Sequence, residues 1–264
     1  MTMLQLAANG SPILRQVLNA GDLPLDCVKC PLSTRSREEV VAFRPYRPVL
    51  LHGWGPVYWV GQRGVPEPGL LRELMAVSDS PYISTHLDVR PDDFDGALTP
   101  ARALARVLEN VAALHEIAGG DVLIENIPYK VGGKSPLFTS DPAFIAEALT
   151  VSGAAFLLDL AHAQVSAWHR GEAFTAYLQS LPLAEVVEVH LSRPRLEPDG
   201  MRDRHLPLEE DDYARLESLL PRLPRLRTVA LEYGGLGGHD APDVLRAQIA
   251  RLHAMLRDYD AAGR

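Results

Sequence analysis

Histidine, aspartate and glutamate recur in this sequence at the ends of short apolar runs, where a folded chain can gather them around metal ions. Leu50-Leu51-His52, Ser84-Thr85-His86, Ile124-Glu125-Asn126 and Leu157-Leu158-Asp159-Leu160-Ala161-His162 are four such places. Glu188-Val189-His190, Asp203-Arg204-His205 and Leu231-Glu232-Tyr233 are three more. The candidate ligands are therefore His52, His86, Glu125, Asp159, His162, His190, Asp203, His205 and Glu232. Imidazole and carboxylate together suit zinc, iron or manganese, because ions of borderline softness accept mixed nitrogen and oxygen donors. So many donors exceed the needs of one ion. Two or three ions sharing a bridging carboxylate would satisfy them all without leaving buried ionisable groups unpaired. Glu125, central among the ligand-bearing runs, is the expected bridge, and Glu125, Asp159 and Glu232 are the candidate catalytic carboxylates.

The elements that must position these residues are legible in the apolar pattern. Runs rich in Val, Ile and Leu predict strands at Leu4–Ala8, Asp26–Cys30, Val49–His52, Tyr82–Leu87, Val122–Asn126, Ala155–Leu160, Val186–Leu191 and Thr228–Tyr233. A helical pattern follows each. Thr99-Pro100 opens one helix over Ala101–Ile117, with Thr99 as cap, Pro100 in the first turn and Gly119-Gly120 as its end. Asp141-Pro142 opens another, and Asp240-Ala241-Pro242 starts the last, with Val244, Ile249, Leu252 and Leu256 on its inner face. Eight βα units in 264 residues, about 33 residues each, predict one α/β domain over residues 1–264, a (β/α)₈ TIM barrel. A doubly wound open sheet is the second choice, but no G-x-G-x-x-G loop follows the first strand. In a barrel, active-site residues sit where strands run into the following loops, so ligands at six consecutive strand ends would meet at one mouth.

Composition narrows the partners. The formal charge of −8 offers no general attraction to nucleic acid or anionic membrane. Asp92, Asp93 and Asp95 after the fourth strand oppose a nucleic-acid role further. No run reaches the length of a membrane span and no secretory signal is legible, so a cytoplasmic enzyme is expected. Cys27 and Cys30 are too few for a disulfide framework. Three apart in a strand, they face opposite ways; Cys27 reads as packing, and Cys30, nearer the strand end, could face the site.

Around the predicted mouth, Asn9, Lys29, Asn126 and Arg193 are the candidate substrate contacts, with Lys29 and Arg193 suited to an anion. Trp54, Gln164, Ser192, Arg204 and Tyr233 are further residues there. Asn126, Gln164 or Ser192 could instead steady a ligand. His115 and His253 read as surface residues of helices, and His169 and His239 as solvated loop histidines.

Two known groups share this ligand pattern. The first is the endonuclease IV branch of the xylose isomerase-like barrels. That resemblance implies one zinc on His52, His86 and Glu125, a second on Asp159, His190 and Glu232 bridged by Glu125, and a third on His162, Asp203 and His205. The second resemblance spans most of the chain. Gly153 to Asp159, Val165 to Gly171, Pro182-Leu183, Val187 to Leu191, Ile124-Glu125-Asn126, Asp203-Arg204-His205 and Leu231-Glu232 resemble the multinuclear non-haem iron-dependent oxidative enzymes acting on cysteine-containing peptides. Asn9-Gly10-Ser11-Pro12 and Val28-Lys29-Cys30-Pro31 are similar too. Where many members of that family carry asparagine three residues after the aspartate, this chain has His162, as the zinc endonuclease does.

The second resemblance implies two or three ions, iron foremost, and an oxygen-dependent oxidation of a cysteine-containing peptide or small thiol, with a partner protein as one way of presenting it. With zinc or manganese, the same cluster would make hydroxide for a phosphoesterase. A sugar isomerase or epimerase using Glu125 and Glu232 as acid and base stands third, because it leaves the remaining ligands unexplained.

Overall fold

The computed structural model describes residues 3–32, 36–53, 59–234 and 241–263. Trp54 and His239 lie outside them. In chain order the strands are β1 (Gln5–Asn9), β2 (Cys27–Leu32), β3 (Val49–Gly53), β4 (Tyr82–His86), β5 (Asp121–Glu125), β6 (Ala155–Asp159), β7 (Val186–Leu191), β8 (Arg193–Glu197), β9 (Gly200–Leu206) and β10 (Thr228–Leu231). The helices are α1 (Pro12–Asn19), α2 (Ser36–Phe43), α3 (Pro68–Ser78), α4 (Pro100–Ala118), α5 (Pro142–Ser152), α6 (Leu160–Arg170), α7 (Phe174–Ser180), α8 (Glu210–Leu219) and α9 (Pro242–Ala261).

Eight of the strands close into a parallel barrel in the order β1-β10-β7-β6-β5-β4-β3-β2. Each coincides with a strand expected from the apolar pattern. What the pattern does not announce is the hairpin. The segment after β7, read from sequence as a loop, forms the antiparallel pair β8–β9, set apart from the barrel sheet.

Local chemistry explains the helix boundaries. Thr99 Oγ1 accepts from the Arg102 amide at 3.3 Å, Pro100 occupies the first turn, and Gly119 closes α4 with φ of 61°. Asp141 precedes α5 but does not cap it; its carboxylate takes Arg170 at 2.7 Å instead.

Two apolar layers result from strand alternation. One face of each strand packs with the helices, where Leu6, Val28, Leu51, Ile83, Ile124, Phe156 and Leu158 are buried with Val107, Val111, Ile249 and Leu252. The other fills the barrel's interior with Ala7, Cys27, Leu50, Tyr82, Leu123, Ala155, Leu157, Val187 and Ala230. Counting two residues onward from Leu50, Leu123, Leu157 and Ala230 leads to His52, Glu125, Asp159 and Glu232. The same face that is oily at mid-barrel thus turns into ligands at the carboxyl ends.

Candidate metal centre

All nine candidate ligands converge on that mouth. Three overlapping groups have donor atoms within 4.8 Å of one another: His52, His86 and Glu125; His52, His190 and Glu232; and Glu125, Asp159 and His162. The first coincides with a ligand set implied by the endonuclease resemblance. The other two divide the donors differently, because His162 stands beside Glu125 and Asp159, and His52 also faces His190. Asp203 and His205 complete the circle: Asp203 Oδ2 lies 3.6 Å from His162 Nε2 and 3.1 Å from His205 Nε2, which is 3.3 Å from Glu232 Oε2.

Glu125 is the hub. Its Oε2 lies 3.1 Å from His52 Nε2 and 3.3 Å from His86 Nε2, and its Oε1 lies 3.0 Å from His162 Nδ1. None of these approaches has hydrogen-bond geometry: both Glu125 oxygens, Asp159 Oδ2 and His190 Nδ1 are buried without a hydrogen-bond partner. A buried polar atom left unpaired costs on the order of 1–3 kcal/mol, more when charged. Four orphaned atoms aimed at a common space fit a set of cations, and these residues fit them in type as well.

The ionisation of the cluster agrees. Burial pulls His52 down to about 4 and lowers His86, favouring the neutral rings that ligation needs. Burial also opposes charge on His190, but Glu232 and Glu125 outweigh it and push His190 up to about 10. Asp203 and Glu232 likewise overcome burial to raise His205 to about 9. Glu125 is held well below the usual carboxylate range, against burial, by His86, His52 and His190. Burial raises Asp159. Protons on imidazoles thus neutralise carboxylates where a cation would replace them.

Neighbouring polar groups steady several donors. Asn126 brackets the Asp159 backbone, its Nδ2 donating to the Asp159 carbonyl and its Oδ1 accepting from the Asp159 amide, each at 2.9 Å. Asp159 Oδ1 in turn accepts from the His162 amide at 2.6 Å, so one carboxylate caps α6 and offers its other oxygen to the centre. Ser84 Oγ lies 2.9 Å from His52 Nδ1, leaving Nε2 toward Glu125.

The four candidate substrate contacts fare differently. Asn9 lines the mouth, its Oδ1 accepting from the Tyr233 amide at 3.1 Å. Asn126 is buried and engaged in the Asp159 clamp. Lys29 is corrected: it is 2 % exposed and its ammonium lies 2.6 Å from Glu188 inside the barrel, so it is no anion contact. Arg193 is corrected too, since Asp212 at 2.9 Å and Glu209 at 2.8 Å hold its guanidinium at the start of α8. Cys30 faces the helix layer, next to the ring of Phe43, because Cys27 and Lys29 take the inward positions of β2. His169 is not a loop residue: it closes α6, and its Nε2 donates to the Met201 carbonyl at 3.1 Å.

Two cavities flank the donors. One, of about 310 Å³, is lined by His86, His162 and Asp203 together with Asp88, Arg90 and Ser135. The other, of about 220 Å³, lies by His52, His205, Glu232, Asn9 and Pro31. Asp88 and Arg90, which sequence reasoning missed, pair with each other at 2.6 Å, and Arg90 stacks on Trp59 at 4.2 Å. Their only sequence signal was position, just past the end of β4.

A closed parallel barrel whose mouth gathers five imidazoles and four carboxylates defines a TIM barrel with an enzyme-like mouth. Solved structures bear out that fold. Endonuclease IV from Thermus thermophilus superposes with a TM-score of 0.59 at 19% identity, covering 96% of this chain and 99% of that one. A putative xylose isomerase from Rhodospirillum rubrum does so with a TM-score of 0.62 at 16% identity, covering 97% and 99%.

The family is narrower. Residues 33–232 match the RiPP precursor modification enzyme MbnB/TglH/ChrH family, and the chain belongs to it. A UPF0276 protein of Caulobacter sp. (strain K31) is 29% identical over 194 residues, covering 70% of this chain and 67% of its own. Another, from Caulobacter vibrioides (strain NA1000 / CB15N), is 30% identical over 168 residues, covering 60% and 59%. The matches thus span about two thirds of these relatives or less.

Proposed function

We propose that this chain is a multinuclear metal-dependent enzyme that oxidises a cysteine-containing peptide or small thiol with iron and dioxygen. The observation carrying the reading is the quartet of orphaned buried atoms on Glu125, Asp159 and His190, surrounded by further donors at a mouth with open cavities on both sides. Membership in a family of peptide-modifying enzymes supports the substrate class. His52, His86, Glu125, Asp159, His162, His190, Asp203, His205 and Glu232 would hold two or three ions, with Glu125 shared between neighbours. When bound, iron would supply the redox chemistry with dioxygen and an anchor for a thiolate.

The chain's own contribution is geometric and electrostatic. The inner carboxylates are placed by strand alternation and buried, each two residues beyond the apolar positions Leu123, Leu157 and Ala230 that fill the barrel interior. His205 and Asp203, at the outer edge, line the cavity beside His86 and His162 and stand where an approaching substrate would meet the centre. A substrate can enter beside Asp88 and Arg90 or beside Asn9 and Pro31. The phosphoesterase reading is weaker, since Lys29 and Arg193, the cations it would use, are each held by carboxylates elsewhere.

Metal content after anaerobic purification tests the proposal. Two or three irons per chain, with an absorbance change when oxygen and a cysteine-containing peptide are added together, is the expected result. Three zincs with phosphodiester cleavage would overturn the oxidative reading, and one ion per chain with sugar epimerisation would replace it.

A further inference from the structure

Below the candidate metal centre, the barrel interior holds charges that the proposed chemistry does not use. Lys29 on β2 and Glu188 on β7 form an ion pair at 2.6 Å, with exposures of 2 % and 0 %. The Tyr82 hydroxyl, from β4, donates to Glu188 Oε2 at 2.6 Å, and His190 Nε2 lies 2.9 Å from Glu188 Oε1. Around them lie Cys27, Leu50, Leu123 and Ala230. Buried ion pairs gain little stability, and apolar replacements of similar volume are often neutral or stabilising. Stability alone therefore does not account for a lysine and a glutamate at this depth.

Hydrogen-bond inventory supplies the account. A carboxylate can only accept, so the contact requires His190 Nε2 to carry the proton. In a neutral ring the lone pair is then on Nδ1, and that atom is the one buried without a partner, 3.2 Å from Glu232 Oε1 and 3.8 Å from Glu125 Oε1. We propose that Glu188 is the positioning residue of the metal centre. It fixes the tautomer and plane of His190 so that Nδ1 faces the ions, while Lys29 and Tyr82 hold its two oxygens in place. Lys29 also cancels the charge of Glu188, so an ionised acceptor is set beneath His190 without adding net negative charge to a mouth that already holds four carboxylates. The inference rests on the metal-centre reading above.

The test uses Co²⁺ alone as probe, with dissociation constants from chelator competition and the ligand-field absorption band as a structural signature. The paired variant Lys29→Leu with Glu188→Met removes both charges together, so neither is left buried alone. The expected result is a metal-free protein that still folds, with a lowered melting temperature because Tyr82 and His190 lose their acceptor, a dissociation constant raised about 10–100-fold, and a shifted absorption band. Unaltered affinity and band in that variant would overturn the inference while leaving the metal centre standing. Should the unsubstituted chain bind no Co²⁺, both fall together. Should the paired variant fail to fold, Tyr82→Phe decides. Several-fold weaker binding with a shifted band supports the positioning role, and no change in either overturns it.

Discussion

His52, Glu125, Asp159 and His190 stand on barrel strands or their ends and are at most 5 % exposed at the side chain, with His86 and Glu232 at the strand ends at 15 % and 12 %, whereas Asp203 and His205 arrive on the β8–β9 hairpin, at 12 % and 13 %. The strand-borne donors are set by the closed hydrogen-bonded ladder and by apolar packing beneath them. The hairpin-borne pair is set by a handful of polar contacts. Ser192 Oγ donates to Asp203 Oδ1 at 3.0 Å, the His205 amide donates to the same oxygen at 3.3 Å, and His169 holds the Met201 carbonyl. His205 itself has φ of 46°, a conformation that non-glycine residues adopt only when their surroundings hold them there. The difference teaches that one part of the centre is anchored in the barrel sheet itself, while the other is held at its edge by polar contacts.

That contrast can be broken most severely at the hub. Glu125→Gln should lose more than one ion's worth of occupancy by elemental analysis, since its two oxygens face His52, His86 and His162 at once. A loss no larger than that of a hairpin variant would contradict the shared role. Next comes pH. His190 and His205 are raised to about 10 and about 9 in the folded, metal-free chain, above the roughly 6.5 of a free imidazole. Their stabilising effect is complete below about pH 6.5 and lost as pH rises through 9 to 10. The ions need the same nitrogens unprotonated, so the rise in melting temperature on adding Zn²⁺ should grow from pH 7 to pH 9.5. A metal-free melting temperature that climbs over that range would refute the assignment.

Smaller effects belong to the hairpin. His205→Ala should empty one position and leave the others filled, measured as one equivalent of metal lost. Smallest is Gly200→Ala. Gly200 has φ of +120°, and a Cβ there would come within 2.8 Å of both the Trp168 and the His169 rings. The substitution should shift the hairpin and weaken the Asp203 and His205 position several-fold in metal titration, with the total stoichiometry at saturation unchanged. An unchanged titration would show that the hairpin's seat on α6 does not set the outer position.

Much of this was legible in the sequence because strand alternation is a local rule. His52, Glu125 and Asp159 each lie two residues beyond an inward-facing leucine, so apolar periodicity alone assigns them to the barrel's interior face. The same rule, applied from Lys29, assigns Cys30 to the helix layer, which closes the possibility that its strand-end position would bring it to the site. Asp203 and His205 were legible as donor types but not as parts of a hairpin, because their segment carries arginines and a glycine rather than an apolar alternation. Lys29, Arg193 and Asn126 were recognised as polar residues near the mouth; their pairing with Glu188, Asp212 and Asp159 was not, because those contacts cross strands and loops.

Residue order by itself determined the eight βα units, the rim at which the donors gather and the mixture of imidazole and carboxylate, since each follows from periodicity along neighbouring positions. Only the tertiary structure decided which donors stand side by side, that His190 turns Nδ1 toward the mouth, and that Lys29 pairs with Glu188. Those outcomes depend on distances between residues as far apart as Lys29 and Glu188, 159 positions along the chain yet 2.6 Å apart in the closed barrel. Barrel closure creates such contacts, and no pattern confined to a single strand contains them.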